Sequence, residues 1–185
     1  DVCGKGVPAA LFMIMLRSAF RLESRTSTGA RDLLCSVNEA MTTSLDDRSF
    51  VTALCLMVHP DGRSMTYARA GHPFLLRKCR TDGTAEMVPS DGLAMGLVPE
   101  SAIFNDMLQE VTLELEKGAR FLVYTDGLTE ATDKDKRAYG VDRLREFLGA
   151  NWHHPPGALI AALVADVQEF SRPDPVHDDL TVLDI

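Results

Sequence analysis

Three short segments far apart in the chain each carry an aspartate at the edge of an apolar run, beside glycine or a second polar residue. They are Asp1 in D-V-C-G-K-G, Asp126 in F-L-V-Y-T-D-G-L-T-E-A and Asp178 in H-D-D-L-T-V-L-D-I. Hard divalent cations such as Mg²⁺ and Mn²⁺ take oxygen ligands and keep much of their water, so a few carboxylates delivered from different strands are enough to hold one. Glycine beside a ligand lets the main chain approach the ion, where a peptide carbonyl can add a further oxygen. Three carboxylates gathered without a cation would repel one another and raise their own pKa values, so their convergence would itself imply metal. Turns and helix caps recruit aspartate as well, and residue type alone leaves both readings open.

The elements that must position these residues can be read from periodicity. After a glycine turn at Gly4 and Gly6, Pro8 suits a first helical turn, and Leu11, Ile14, Met15 and Ala19 predict a buried helix over about 8 to 24. Leu33, Leu34, Val37, Met41 and Leu45 form a second amphipathic stripe, expected to pair with the first helix in antiparallel fashion. From Phe50 the pattern turns β-rich, and Pro60-Asp61-Gly62 marks a hairpin leading to a second strand that ends near Ala70. Residues 110–115 alternate as a half-buried antiparallel strand, and the apolar run from Arg120 to Tyr124 reads as a fully buried one. Val141, Leu144, Phe147 and Leu148, then Leu159, Leu163, Val167 and Phe170 beyond Pro155-Pro156, return to helical spacing. Residues 180–185 read as a last strand. Helices before, strands between and helices after predict an α+β domain in which helices cover antiparallel sheets.

Composition bounds the functions available. The 185 residues are 45% hydrophobic and 25% charged, as expected for one domain with a substantial core. The net charge of -8, with 19 basic residues dispersed among 27 acidic ones, argues against nucleic acid as a partner. Cys3, Cys35, Cys55 and Cys79 form no C-x-x-C pair and read as reduced thiols in a cytoplasmic protein. The apolar stretch from Val7 to Leu16 is about half of what a bilayer core needs, so no membrane contact is expected.

Four segments taken together narrow the reading. D-V-C-G-K-G-V-P-A-A-L at the start, A-G-H-P-F-L-L at 70–76, Y-T-D-G-L-T-E-A at 124–131 and D-D-L-T-V-L at 178–183 resemble the PPM-type, protein phosphatase 2C-like metal-dependent serine/threonine phosphatases, in the bacterial stage II sporulation E-like branch. The resemblance runs the length of the chain in the right order. It implies a four-layer αββα sandwich, two antiparallel sheets flanked by helices, with two divalent cations, Mn²⁺ or Mg²⁺, at one end. It implies that Asp1 bridges both metals, that the Val2 carbonyl is a ligand of the second, and that Asp126 and Asp178 are ligands of the first. A metal-bridging hydroxide would attack phosphorus in line, its pKa lowered from that of bulk water toward about 7. The implied substrate is a phosphoserine or phosphothreonine protein such as an anti-sigma-factor antagonist, with a homodimer as an open option. Relatives carry opening strands and a further acidic motif upstream of Asp1. Residues 1–185 are therefore expected to be an N-terminally incomplete phosphatase domain, the C-terminal part of a longer signalling protein. A non-catalytic, phosphatase-like partner-binding module is the alternative.

Other residues carry less. Lys5 stands where many relatives have histidine, and reads either as a phosphate contact or as a solvated lysine. His72 in A-G-H-P reads as a turn histidine bonded locally and is excluded from the site. His177 has no second histidine motif beside it, and His153-His154 reads as surface. Asp179 and Glu130 stand second in rank, the first to orient its neighbour and the second to cap the following helix. Residues 90–96, S-D-G-L-A-M-G, read as a flap or a plain connector. An aspartyl-phosphate mechanism at V-Y-T-D-G-L-T needs a second aspartate where the chain has Leu128, and G-K-G lacks the rest of a P-loop.

Overall fold

Glycine opens the first helix. Gly4 and Gly6 hold φ of 89° and 78°, in the left-handed region that a side chain would disfavour, and the chain then enters α1 (Val7–Glu23) with proline in its first turn. The structure, a computed structural model, describes residues 1–42, 49–79, 82–173 and 179–185. Leu45, His177 and Asp178 lie outside the described residues. The remaining elements are α2 (Ala30–Thr42), β1 (Ala53–Val58), β2 (Ser64–Ala70), β3 (Leu75–Lys78), β4 (Ala85–Val88), α3 (Ser101–Met107), β5 (Glu110–Glu114), β6 (Phe121–Tyr124), α4 (Asp126–Thr129), α5 (Gly140–Asn151), α6 (Pro156–Phe170) and β7 (Val182–Asp184). The expected α+β class with two antiparallel sheets holds.

The chain forms two compact units. The first comprises Asp1–His72 and Ser90–Glu116. Its sheet has the order β1-β2-β5, with β2 central and buried on both faces. Ala68 and Ala70 of β2 join Leu33, Leu34, Val37 and Met41 of α2 in one apolar cluster, as the stripe on α2 predicted. α1 packs on α2, yet the expected burial of α1 does not hold. Its inward stripe is Ala9, Phe12, Leu16, Ala19 and Phe20, while Leu11, Ile14, Met15 and Leu22 are exposed. A helix apolar around most of its circumference gives no preferred face, so the spacing of its leucines could not say which one turns inward. α3 was not anticipated, because its seven residues are too few to show a period and it is anchored by Phe104 alone.

The second unit comprises Pro73–Pro89 and Lys117–Ile185. Its sheet has the order β4-β3-β6-β7, and β6 is the buried strand predicted from residues 120–124. Leu144 and Leu148 of α5 pack with Leu159, Leu163 and Val167 of α6 over Leu76, Leu122 and Tyr124 of the sheet. At the edge, Arg120 makes a two-pronged ion pair with buried Asp184 and donates through Nη1 to the carbonyls of Trp152 (2.7 Å) and His154 (2.6 Å). No helix among the described residues is long and apolar enough to cross a membrane.

The four cysteines are free thiols. Burial, with a further push from the Glu110 carboxylate, raises the Cys55 thiol to about 11. A thiol pKa raised by folding means that the neutral form stabilises the fold. That contribution is present below the ordinary value of about 8.5 and is lost as pH climbs toward about 11. Iodoacetamide labelling of Cys55 in the folded chain is accordingly expected to be slow at pH 8 and to quicken about tenfold per pH unit up to pH 10; a plateau already reached at pH 8.5 would refute this. Truncation of fully buried Leu34 to alanine is expected to cost about 2–5 kcal/mol in urea unfolding. A midpoint unchanged from wild type would show that α2 does not anchor its unit.

Candidate metal centre

Asp1 lies on a short edge pairing in the first unit. Cys3 N–H donates to Phe50 O (3.1 Å) and Thr52 N–H donates to Asp1 O (2.8 Å), which makes Val2 and Val51 a non-hydrogen-bonded antiparallel pair. The Asp1 amino nitrogen also reaches Thr52 O at 2.7 Å. On its other side Val51 exchanges both of its main-chain hydrogen bonds with Met95, at 2.9 and 2.8 Å. Residues 50–52 are thus the middle of three extended segments, and residues 1–3 the outer one. Pairing parity then sets direction. The carbonyl of Asp1 faces residues 50–52, whereas that of Val2 turns away from them while the Val2 side chain is buried in the core. Asp1 itself is exposed, as is Lys5 in the following glycine turn.

Asp126 is in the second unit, two residues beyond the end of β6, where the buried strand gives way to α4. Its main-chain carbonyl is taken by Glu130 N–H (2.8 Å) and the Thr129 hydroxyl (3.2 Å). Its carboxylate makes no hydrogen bond or ion pair among the described residues. Thr125, immediately before it, is bonded to residues 179–181. Its N–H donates to Thr181 O, and its hydroxyl donates to Asp179 O and accepts from Thr181 N–H, each at 3.0 Å. The end of β6 and the start of the last strand therefore meet beside Asp126. Asp178, the expected partner ligand, lies outside the described residues, and among those described no group of three His, Cys, Asp or Glu side chains is placed to hold a metal ion. Taken separately, the Asp126 carboxylate in the second unit and the outward Val2 carbonyl in the first each offer oxygen, the donor type that hard cations take.

The second-rank residues are placed differently. Asp179 meets Thr125 through its carbonyl. Glu130 does not cap the following helix: it is exposed and ends α4, while α5 begins only at Gly140. His72 is buried, with Nδ1 2.9 Å from the Thr52 hydroxyl beside β1, and its carbonyl accepts locally from the Arg69 guanidinium (2.7 Å). Residues 90–96 form a fixed connector. Gly71 N–H donates to Gly92 O (3.2 Å), Gly96 N–H to Asn38 Oδ1 (3.1 Å), and the Arg69 guanidinium to Ser90 O (2.8 and 3.0 Å). A Cβ at Gly92 would fall 2.0 Å from Arg69 O, so glycine is required there by the close approach of two main chains.

Sequence reasoning missed Thr125 and Thr52. A threonine ahead of a short helix reads as an ordinary N-cap, and nothing near Thr52 pointed to a histidine 20 residues away.

A family model described as Stage II sporulation protein E (SpoIIE) matches residues 1–185. Protein IcfG of Synechocystis is 30% identical over 181 residues, a match covering 82% of this chain and 27% of that protein. The phosphoserine phosphatase RsbU of Bacillus subtilis is 29% identical over 130 residues, covering 70% of this chain and 37% of that protein. The chain thus spans about a quarter to two fifths of the length of the curated relatives it matches. In three dimensions it is similar to the SiaA PP2C domain of Pseudomonas aeruginosa, with a TM-score of 0.82, 24% identity and coverage of 100% of this chain and 71% of that one. It is also similar to the catalytic domain of the serine/threonine phosphatase PstP, solved in complex with two manganese ions, with a TM-score of 0.63, 14% identity and coverage of 98% and 83%. At such identities the likeness shows the fold, the α+β sandwich of PP2C domains.

The histidine contact yields a test. Replacing Thr52 with valine deletes the hydroxyl bonded to His72 Nδ1 in a buried setting, and is expected to cost about 1–3 kcal/mol of unfolding free energy. A urea midpoint equal to that of wild type would show the contact to be dispensable.

Proposed function

The chain belongs to the stage II sporulation E family of PPM-type phosphatases, and from that premise we propose that it hydrolyses phosphoserine or phosphothreonine in a protein, with two divalent cations, Mn²⁺ or Mg²⁺. The observation that carries this reading is the open carboxylate of Asp126, held at the end of a buried strand beside residues 179–181. Asp1, the Val2 carbonyl, Asp126 and Asp178 are the residues that would hold the ions. When bound, such a pair of cations makes water nucleophilic near neutral pH and offsets charge on the phosphoryl oxygens.

The chain's own contribution is placement. The pairing of residues 1–3 with 50–52 turns the Val2 carbonyl outward and fixes the main chain that carries Asp1, while the Val2 side chain is held in the core. β6, buried between β3 and β7, gives Asp126 a rigid base. Lys5, exposed in the turn next to Asp1, is suited to meet a phosphoryl oxygen. The phosphoserine activity of RsbU supports the substrate class, and an anti-sigma-factor antagonist is the partner we favour, in the cytoplasm.

Hydrolysis of a phosphoserine peptide by the full-length protein is expected with Mn²⁺ or Mg²⁺ and should fall to background with chelator. Asp126→Asn is expected to lower kcat by about 100-fold or more, since each 1.36 kcal/mol of lost charge stabilisation is about tenfold in rate. Turnover that survives chelation or this substitution would overturn the proposal. Binding of a phosphoprotein without turnover under any divalent ion would instead favour a non-catalytic partner-binding module.

A further inference from the structure

α1 buries one side, through Phe12, Leu16 and Phe20, in the core of the first unit. On the opposite side Val7, Leu11, Ile14, Ser18 and Leu22 follow one another at steps of three or four residues, so they form one row along the helix, with Met15 beside it. The four aliphatic side chains of that row are 58–73% exposed: Val7 73%, Leu11 58%, Ile14 63% and Leu22 61%. A continuous apolar row of this kind marks a contact surface, whereas apolar residues exposed singly do not. Ser18 spends its hydroxyl on the Ile14 carbonyl of its own helix (2.9 Å). The row therefore has a shallow notch between Ile14 and Leu22 instead of a polar interruption.

One edge of the row is basic. Helical geometry puts Arg17 and Arg21 about 60° and about 20° from Ile14, on the side away from Leu11 and Leu22. Both are exposed, and neither guanidinium makes a hydrogen bond or ion pair among the described residues. α1 carries one acidic residue, Glu23, about half a turn from Ile14 on the inward side. Two uncompensated arginines on a chain of net charge -8 call for a negative complement. A second copy of α1 would bring only more arginine to this edge, and the net charge opposes an anionic bilayer. We propose that the outer face of α1 docks an amphipathic helix of a separate partner protein, whose apolar stripe seats a large aliphatic side chain in the notch at Ser18 and whose acidic edge meets Arg17 and Arg21. The apolar row supplies the affinity of such docking, and the charged edge supplies the choice of partner.

The probes are two stapled synthetic helices with the same leucine stripe, one with glutamates and one with lysines along an edge, titrated by fluorescence anisotropy into the full-length protein. The glutamate helix is expected to bind at least about tenfold more tightly than the lysine helix in about 0.05 M salt, and the gap to narrow in about 0.5 M. Ile14→Glu is expected to weaken glutamate-helix binding by about tenfold or more. Arg17→Glu combined with Arg21→Glu is expected to reverse the preference toward the lysine helix, with circular dichroism confirming that each variant is folded. Methionine oxidation reads the same face with no variant. Met13 and Met15 are both exposed, yet Met15 borders the row and Met13 lies beyond the arginines. Peroxide is expected to oxidise both in the free protein, and the glutamate helix to slow Met15 by more than Met13. Equal affinity for the two helices, or binding of neither, would overturn the proposal. So would a Met15 already protected in the free monomeric protein, which would mean that its own chain covers the face, or protection that grows with protein concentration alone, which would mean a second copy. Binding to phosphatidylserine vesicles without discrimination between the helices would likewise replace the partner helix with a membrane surface.

Discussion

A carboxylate can serve a hard cation only if something other than the carboxylate holds its strand end in place. In this chain main-chain pairing does the holding, at two positions. Residues 1–3 lie along residues 50–52, and Thr125 lies along residues 179–181. In both cases the hydrogen bonds that finish the ladder use up neighbouring peptide groups and leave oxygens pointing elsewhere: the Val2 carbonyl in one, the Asp126 carboxylate in the other. Buried peptide groups must be satisfied, so the parity of pairing decides which oxygens remain available.

Each unit supports its pairing from behind. In the first, Val2 and Val51 are both part of the core that α2 closes, so residues 1–3 are pinned by side-chain burial as well as by hydrogen bonds to residues 50–52. In the second, β7 would be a weak edge if left to its own three residues. It is clamped instead, at its far end by the Arg120–Asp184 pair and at its near end by Thr125. Arg120 stacks over Trp152 and bonds two carbonyls that follow α5, so the edge strand is tied to the helical layer rather than to one neighbour.

Much of this was legible from the residues. β6, α5 and α6 followed from a short apolar run and from two clean helical stripes, because burial on one face repeats at a fixed period. The family resemblance supplied the order of the aspartate motifs. The inward face of α1 was illegible because Phe12 and Leu16 compete with Leu11 and Ile14 on nearly equal terms, and α3 was too short to have a period. The direction of the Val2 carbonyl depends on whether a pair is of the hydrogen-bonded or the non-bonded kind, which composition does not encode. The role of Thr125 depends on a partner 54 residues away, while its local setting advertises an ordinary cap.

The same features fit an Asp126 carboxylate that has no ion-pair partner among the described residues. An arginine or lysine beside it would hold the carboxylate ionised, but it would also occupy the oxygens a metal needs and would repel the metal itself. Hydrogen bonds from Thr125 fix the main chain while leaving the carboxylate oxygens without a protein partner among the described residues. Neutral groups therefore fix the main chain here, and under the proposed metal role the negative charge of Asp126 would be left for an ion to compensate. A hydroxyl suits this task better than an amide or a charged side chain, because it can donate to one peptide and accept from the next within the span of a tripeptide and adds no charge of its own.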